Sequence, residues 1–240
     1  MARTLLELIQ QATNEIGILQ PFQLVGQVDD QSRQLLALAN REGKDFAMLA
    51  NSRGGWQNLH KEYTFTTVSG TPDYALPSDF EYFVQSTFWD GSMRWELIGP
   101  ITAQEKQILR YGSVTSGPRR KFYIRENRMY IEPEPTTTGE TIAFDYYSNA
   151  WCQSSGGTAQ QRWSADLDTY KLDEDCFVQG IKWRFLRAKG LDYSEEKKAY
   201  DEDCMRVLAR DGGARDLSLV RNDGVPFISM CNVPDSGYGV

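Results

Sequence analysis

Apolar residues recur at helical spacing at both ends of the chain and at alternating spacing in its middle. From Leu172 to Gly213 the pattern predicts two consecutive helices. Phe177, Ile181, Phe185 and Ala188 form one stripe, widened by Trp183 and Leu186, and Gly190 supplies a stop. Asp192 with Glu195 offers a capping box for the next helix, whose inward stripe is Tyr200, Cys204, Val207 and Leu208 before Gly212 and Gly213. At the other end, Thr4 and Glu7 make a capping box ahead of Leu5, Leu8, Ile9, Ala12 and Ile16, with Gly17 as the terminator. Asp29 or Asp30 then caps a second helix with Leu35, Leu38, Ala39, Phe46 and Leu49 on one side, closed by Gly54 and Gly55. Gly43 inside that helix costs about 1 kcal/mol relative to alanine, unless another backbone packs closely there. Neither helix pair can cover its own apolar stripes, so each is expected to cover the other's.

Between them the period changes to two. Tyr63, Phe65 and Thr67 alternate with Thr64, Thr66 and Val68, which predicts a strand. Turn residues at 69–72, 77–78 and 90–91 separate the short runs Glu81 to Trp89 and Met93 to Ile98. Thr102 and Glu105 cap a brief helix through Leu109, and Lys121 to Arg125 and Arg128 to Ile131 flank Glu126-Asn127 as a hairpin. Thr141 to Cys152 is the clearest strand, with Ile142, Phe144 and Tyr146 alternating against Ala143, Asp145 and Tyr147. After Gly213, Gly224, Pro226, Pro234, Gly237 and Gly239 interrupt every apolar group, so no helix fits. The expected class is therefore α+β: an antiparallel helical bundle from residues 1–58 and 164–213, an inserted antiparallel β region at 59–163, and an extended C-terminal docking arm at 214–240.

A length of 240 residues and an apolar fraction of 40% suit one large or two small domains with a real core. The formal charge of −7 and a pI near 4.9 argue against a broad grip on nucleic acid, although an acidic wall lets DNA slide past without holding it. Neither a charged-then-apolar leader nor a run near the roughly 18 apolar residues of a membrane span is visible, so synthesis in a cytoplasm and no membrane contact are expected. Cys152, Cys176, Cys204 and Cys231 are scattered and read as reduced thiols, mostly in the core, rather than as a disulfide framework.

Candidate chemistry is sparse. His60 stands without Cys or acidic residues at ligand spacing, and neither a phosphate loop nor a dinucleotide fingerprint occurs. Asp166, Asp168, Asp173, Glu174 and Asp175 cluster ahead of a helix without the glycine and closing glutamate of a calcium loop, and read as caps and a solvated acidic rim. Lys182, Arg184, Arg187 and Lys189 sit near a helix C-terminus, where the macrodipole favours cations without any ligand. No catalytic residue, cofactor or metal is assigned. The basic hairpin residues Arg119, Arg120, Lys121, Arg125 and Arg128 suit acidic partners or DNA phosphates. With Phe227, Ile228, Val233, Pro234 and Tyr238 of the arm they make up the candidate interface. Two other classes stay open. One is a cell-wall-degrading enzyme using paired carboxylates beside an aromatic groove drawn from Trp89, Trp95, Tyr123, Tyr130, Tyr146, Tyr147, Trp151 and Trp163. The other is a DNA-binding module reading through the 117–128 hairpin.

Six stretches, in matching order and spread over nearly the whole chain, resemble the head-to-tail adaptor proteins of tailed bacteriophages, relatives of the podophage tail tubular protein A. They are Leu-Leu-Ala-Leu-Ala-Asn-Arg-Glu-Gly (35–43), Tyr-Thr-Phe-Thr-Thr-Val (63–68), Leu-Pro-Ser-Asp-Phe (76–80), Gly-Pro-Arg-Arg (117–120), Trp-Arg-Phe-Leu-Arg-Ala-Lys-Gly-Leu-Asp-Tyr (183–193) and Asn-Val-Pro-Asp-Ser-Gly-Tyr-Gly (232–239). The resemblance implies a non-enzymatic virion protein at the head-tail junction. Twelve copies would form a ring beneath the portal protein, extending the DNA channel and receiving a downstream tail or nozzle protein, with tail fibres as further candidate neighbours. Genomic DNA would pass through the lumen without sequence recognition. The family supplies no catalytic residues to carry over.

Overall fold

The computed structural model describes residues 2–53, 55–112 and 119–212. In chain order these form α1 (Leu5–Ile16), α2 (Asp30–Leu49), two short 3-10 turns (Ala50–Arg53, Gln57–Leu59), β1 (His60–Thr66), β2 (Asp73–Ala75), β3 (Phe80–Phe83), β4 (Trp89–Asp90), β5 (Trp95–Glu96), α3 (Ala103–Tyr111), β6 (Lys121–Arg125), β7 (Arg128–Glu132), β8 (Thr141–Ser148), β9 (Cys152–Gln153), β10 (Ala159–Gln160), β11 (Thr169–Tyr170), α4 (Glu174–Lys189) and α5 (Ser194–Asp211). The fold is α+β with antiparallel sheets. Local signals set the helix ends. The Glu7 N–H donates to Thr4 Oγ1 at 3.4 Å while the Thr4 N–H donates to Glu7, and Asp29 accepts from the Ser32 N–H at 2.8 Å. Gly17 and Gly190 end their helices at φ of 80° and 71°, the left-handed conformation glycine adopts without strain. α5 departs from the expected box. It begins at Ser194 behind Tyr193, and Asp192 instead accepts from the Ser194 N–H in a tight turn one residue earlier.

α4 is the hub of the helices, packing against α1, α2 and α5. Because it is covered on several sides, its buried positions spread beyond a single stripe: Cys176, Phe177, Val178, Gly180, Ile181, Trp183 and Phe185. Ala188, expected on that stripe, is exposed. Two glycines set the spacing around this hub. A Cβ on Gly180 would overlap the Glu42 side chain of α2, and one on Gly43 would overlap the Trp151 ring. It is thus an indole, not a second backbone, that fits against the α2 glycine. The Glu42 carboxylate, fully buried, accepts from Tyr200 Oη at 2.7 Å and pairs with Arg184 Nε, tying α2, α4 and α5 to one polar point.

β8 is the shared wall between helices and sheet. It pairs with β1 along one edge and with β3 and β4 along the other, and β5 extends β4. Ile142, Phe144 and Tyr146 point into an aromatic core with Phe88, Phe122, Met129 and Ile131, whereas Tyr147 points into the helical core. The hairpin of β6 and β7 turns on Glu126 and Asn127 at φ of 52° and 59°, the two left-handed residues a tight two-residue hairpin requires. The short sheet β10-β9-β11 lies on the helical side, where Trp151, Cys152, Trp163 and Tyr170 join the helix core.

Candidate functional site

Chemistry-bearing side chains of the described residues serve as fasteners. His60 Nε2 lies 3.5 Å from Asp145 and its ring 5.2 Å from Tyr147, a lone pairing without a nucleophile. Among the described residues no group of three His, Cys, Asp or Glu can hold a metal ion. The acidic cluster is more structural than a solvated rim. Asp166 accepts from the Leu24 and Val25 N–H groups, Asp168 from those of Ser164 and Ala165, Asp173 caps α4, and Glu174 and Asp175 hold Arg3. Cys152, Cys176 and Cys204 are buried free thiols, and burial pushes Cys152 up to about 12. Cys231 lies outside the described residues.

Of the aromatic residues expected to line a groove, Tyr147 and Trp151 meet at one cleft beside Trp56 and Tyr82, and the others lie elsewhere. Tyr123 and Tyr130 stack across the hairpin at 4.9 Å, Trp151 and Trp163 meet edge-on in the helical core, and Trp89 and Trp95 face outward on the β4–β5 hairpin.

The basic hairpin residues separate just as clearly. Arg120 turns inward, pairing with Asp90 at 3.3 Å and with Glu140, and its side chain is 16% exposed. Its terminal nitrogen is thus committed to two acids of the same chain. Arg128 pairs with Asp73 at 2.6 Å and Arg125 with Glu126 at 3.0 Å, both near the surface. Lys121 is half-buried and Arg119 is exposed. Gly117, Pro118 and the arm residues Phe227, Ile228, Val233, Pro234 and Tyr238 lie outside the described residues.

Two surface features were not read from the sequence. The α1–α2 connector carries Leu19, Phe22 and Val28 at 84%, 93% and 72% exposure. Its backbone is nevertheless held: Gln31 donates to the Leu19 carbonyl, Gln10 to the Pro21 carbonyl, and Asp166 accepts from Leu24 and Val25, with Leu24 buried beneath. The second feature is a cleft of about 600 Å³ beside the C-terminal half of α2, within the roughly 300–1,000 Å³ that encloses ligand groups or side chains. Trp56, Tyr82 and Met48 line it, and Arg41, Lys44 and Arg162 stand at it with one acid, Glu81. The connector's only sequence signal was a set of apolar residues between two helices with no helical or alternating period.

In the comparison with known proteins, the SU10 adaptor protein family matches residues 3–218. The chain belongs to that family. It is a bacteriophage adaptor, a structural protein of the head-tail junction. No curated protein matches it. Among the described residues of this SU10 adaptor no helix is long and apolar enough to cross a membrane.

Proposed function

We propose that this adaptor assembles as a ring of twelve copies beneath the portal protein, extends the DNA channel and receives the downstream tail or nozzle protein. The observation carrying this reading is the family match across residues 3–218, which takes in both helix pairs and all the β segments between them. We further read the chain as a bundle of 1–58 and 164–213, an inserted β domain at 59–163, and a docking arm at 214–240 that adds a strand to a sheet edge on the portal or a neighbouring copy. Genomic DNA passes through the lumen without sequence recognition; the formal charge of −7 disfavours a tight grip on phosphates. The same charge makes free copies repel, so a portal template is needed to bring them together. Native mass spectrometry of the pure protein, then of its mixture with the portal of the same phage, tests this. Monomers or small oligomers alone and a stoichiometric ring with portal are expected. Failure to bind that portal overturns the reading.

A further inference from the structure

Resting on the ring reading, we propose that neighbouring copies join head to tail by seating the apolar connector of one copy, centred on Phe22, in the Trp56–Tyr82 cleft of the next. The connector is an unusual exposed segment. Phe22 and Leu19 stand almost fully in solvent, yet the carbonyls of Leu19 and Pro21 and the N–H groups of Leu24 and Val25 are all held by side chains of the same protein. An apolar knob already fixed in place loses little conformational entropy on docking. The cleft offers apolar walls for the knob and two polar atoms for the polar groups beside it, such as the Gln20 and Gln23 side chains. Its aromatic and thioether walls match the knob, and Tyr82 Oη and Asn149 Oδ1, both buried there, have no hydrogen-bond partner among the described residues.

Charge points the same way. Residues 17–32 contain Asp29 and Asp30 and no Lys or Arg. The cleft carries Arg41, Lys44 and Arg162 against Glu81, and neither Lys44 nor Arg162 has an ion-pair partner among the described residues. Attraction at this one contact would offset part of the repulsion between copies of an acidic chain.

Position decides between contact within a copy and contact between copies. The connector leads into the N-terminus of α2, and the cleft begins at Asn40 and runs to Asn51 past the helix C-terminus. At 1.5 Å per residue the start of α2 and the cleft lie roughly 15 to 30 Å apart along the helix, and Phe22, almost fully exposed, is not seated in the cleft of its own subunit. A knob and a hole at different places on one surface pair either reciprocally, in a twofold dimer, or head to tail, in a ring when the rotation closes, and the ring reading selects the second. The competing occupant is the chain's own C-terminal segment, since Asp211 at the end of α5 accepts from the Gln57 N–H beside the Trp56 wall.

The test is disulfide trapping in assembled head-tail particles carrying Phe22→Cys and Met48→Cys, singly and together. Both positions are exposed. The double variant is expected to give, on mild oxidation, a ladder of linked copies up to the full ring, and each single variant only monomers. A ring seen by imaging that yields no ladder overturns the proposed contact while leaving the ring reading intact; particles without any ring overturn both. A linked dimer from Phe22→Cys alone indicates twofold pairing, and a Met48→Cys link to the native Cys231 assigns the cleft to the arm; either result overturns the proposal. As a second measurement, Phe22→Asp is expected to leave the melting temperature unchanged and to weaken assembly onto portal by about tenfold or more. Unchanged assembly overturns the contact.

Discussion

Gly180 of α4 and Glu42 of α2 occupy one shared space: the glycine lacks a Cβ where the buried carboxylate sits. The end of the Glu42 side chain cannot swing aside, because Arg184 and Tyr200 both hold it. Gly180→Ala should therefore destabilise the protein by about 1–3 kcal/mol through overpacking, although alanine is favoured over glycine in a helix by about 1 kcal/mol. Urea unfolding measures the difference. A stabilised variant would mean that α2 and α4 can move apart freely.

The same carboxylate supplies a second expectation. Glu42→Gln leaves the Arg184 guanidinium, 10% exposed, without its main counter-charge and should cost about 3–5 kcal/mol. Glu42→Leu combined with Arg184→Met removes both charges and should recover most of that loss, since a well-packed apolar pair commonly replaces a buried ion pair at little cost. If the double change is as damaging as the single one, packing at this point matters more than charge.

How far the sequence revealed these features depended on whether the cause was local. Caps at Thr4, Asp29, Thr102 and Asp173, the stops at Gly17 and Gly190, and the Glu126-Asn127 turn all act within a few residues, and each appears where spacing predicts it. The stripe of α4 was legible only in part, because a hub helix buries side chains toward three neighbours and loses a clean period. The fit of Gly43 against Trp151 joins residues more than a hundred positions apart, and no pattern within α2 announces it. Arg120 looked like its basic neighbours in sequence, and only the fold brings Asp90 and Glu140 to it. Pro21 to Val28 reads as a connector in sequence, but that it is pinned does not, because its fastener Asp166 lies far along the chain.

Asp79 governs an acid-dependent part of the stability. It accepts from Lys61 Nζ at 2.5 Å, Ser148 Oγ at 2.6 Å and Tyr146 Oη at 2.9 Å, which fastens the entry to β3 against β1 and β8. Burial alone would raise its pKa, but these donors outweigh it and hold the carboxyl below its usual value. Since the folded pKa lies below the unfolded value near 3.9, the stabilisation is full above that pH and is lost as pH falls through the folded pKa. Asp79→Asn should cost about 2 kcal/mol at pH 7 and make stability fall less steeply below about pH 4. An unchanged acid slope in melts from pH 2 to 7 would count against this assignment.

In residues 214–240 the apolar side chains are broken into short groups by Gly224, Pro226, Pro234, Gly237 and Gly239. Burying Leu219, Val225, Phe227 and Ile228 would give roughly 6–12 kcal/mol, whereas ordering each backbone residue costs about 1–2 kcal/mol. A chain ending at Gly213 should thus melt within a few degrees of the full protein and fail to join particles. Unfolding on truncation would place those residues in the core instead.

Arg120 provides a test that separates folding from contact within the basic hairpin. Its two partners are themselves buried, Asp90 at 3% and Glu140 at 4% exposure, and each carries further structure. Asp90 accepts from the Ser92 and Met93 N–H groups, and Glu140 lies 3.4 Å from Thr67 Oγ1. Arg120→Ala would leave two buried carboxylates facing each other without a cation, at a cost of about 3–5 kcal/mol. Arg120→Lys should restore only part of this, because both contacts come from the terminal Nη1, and the shorter lysine chain does not reach as far. Arg125→Glu, on an exposed side chain, should change stability by less than about 0.5 kcal/mol. A search for binding residues on this hairpin would consequently find Arg120→Ala defective for a reason unrelated to any partner. Thermal melts run beside portal-binding and DNA-binding titrations distinguish the two cases. Binding lost by Arg120→Ala should return at temperatures below its melt, whereas a true contact residue loses binding at every temperature. If Arg120→Ala melts with the parent protein, the inward pair does not hold this hairpin, and Arg120 regains its place among the candidates for contact.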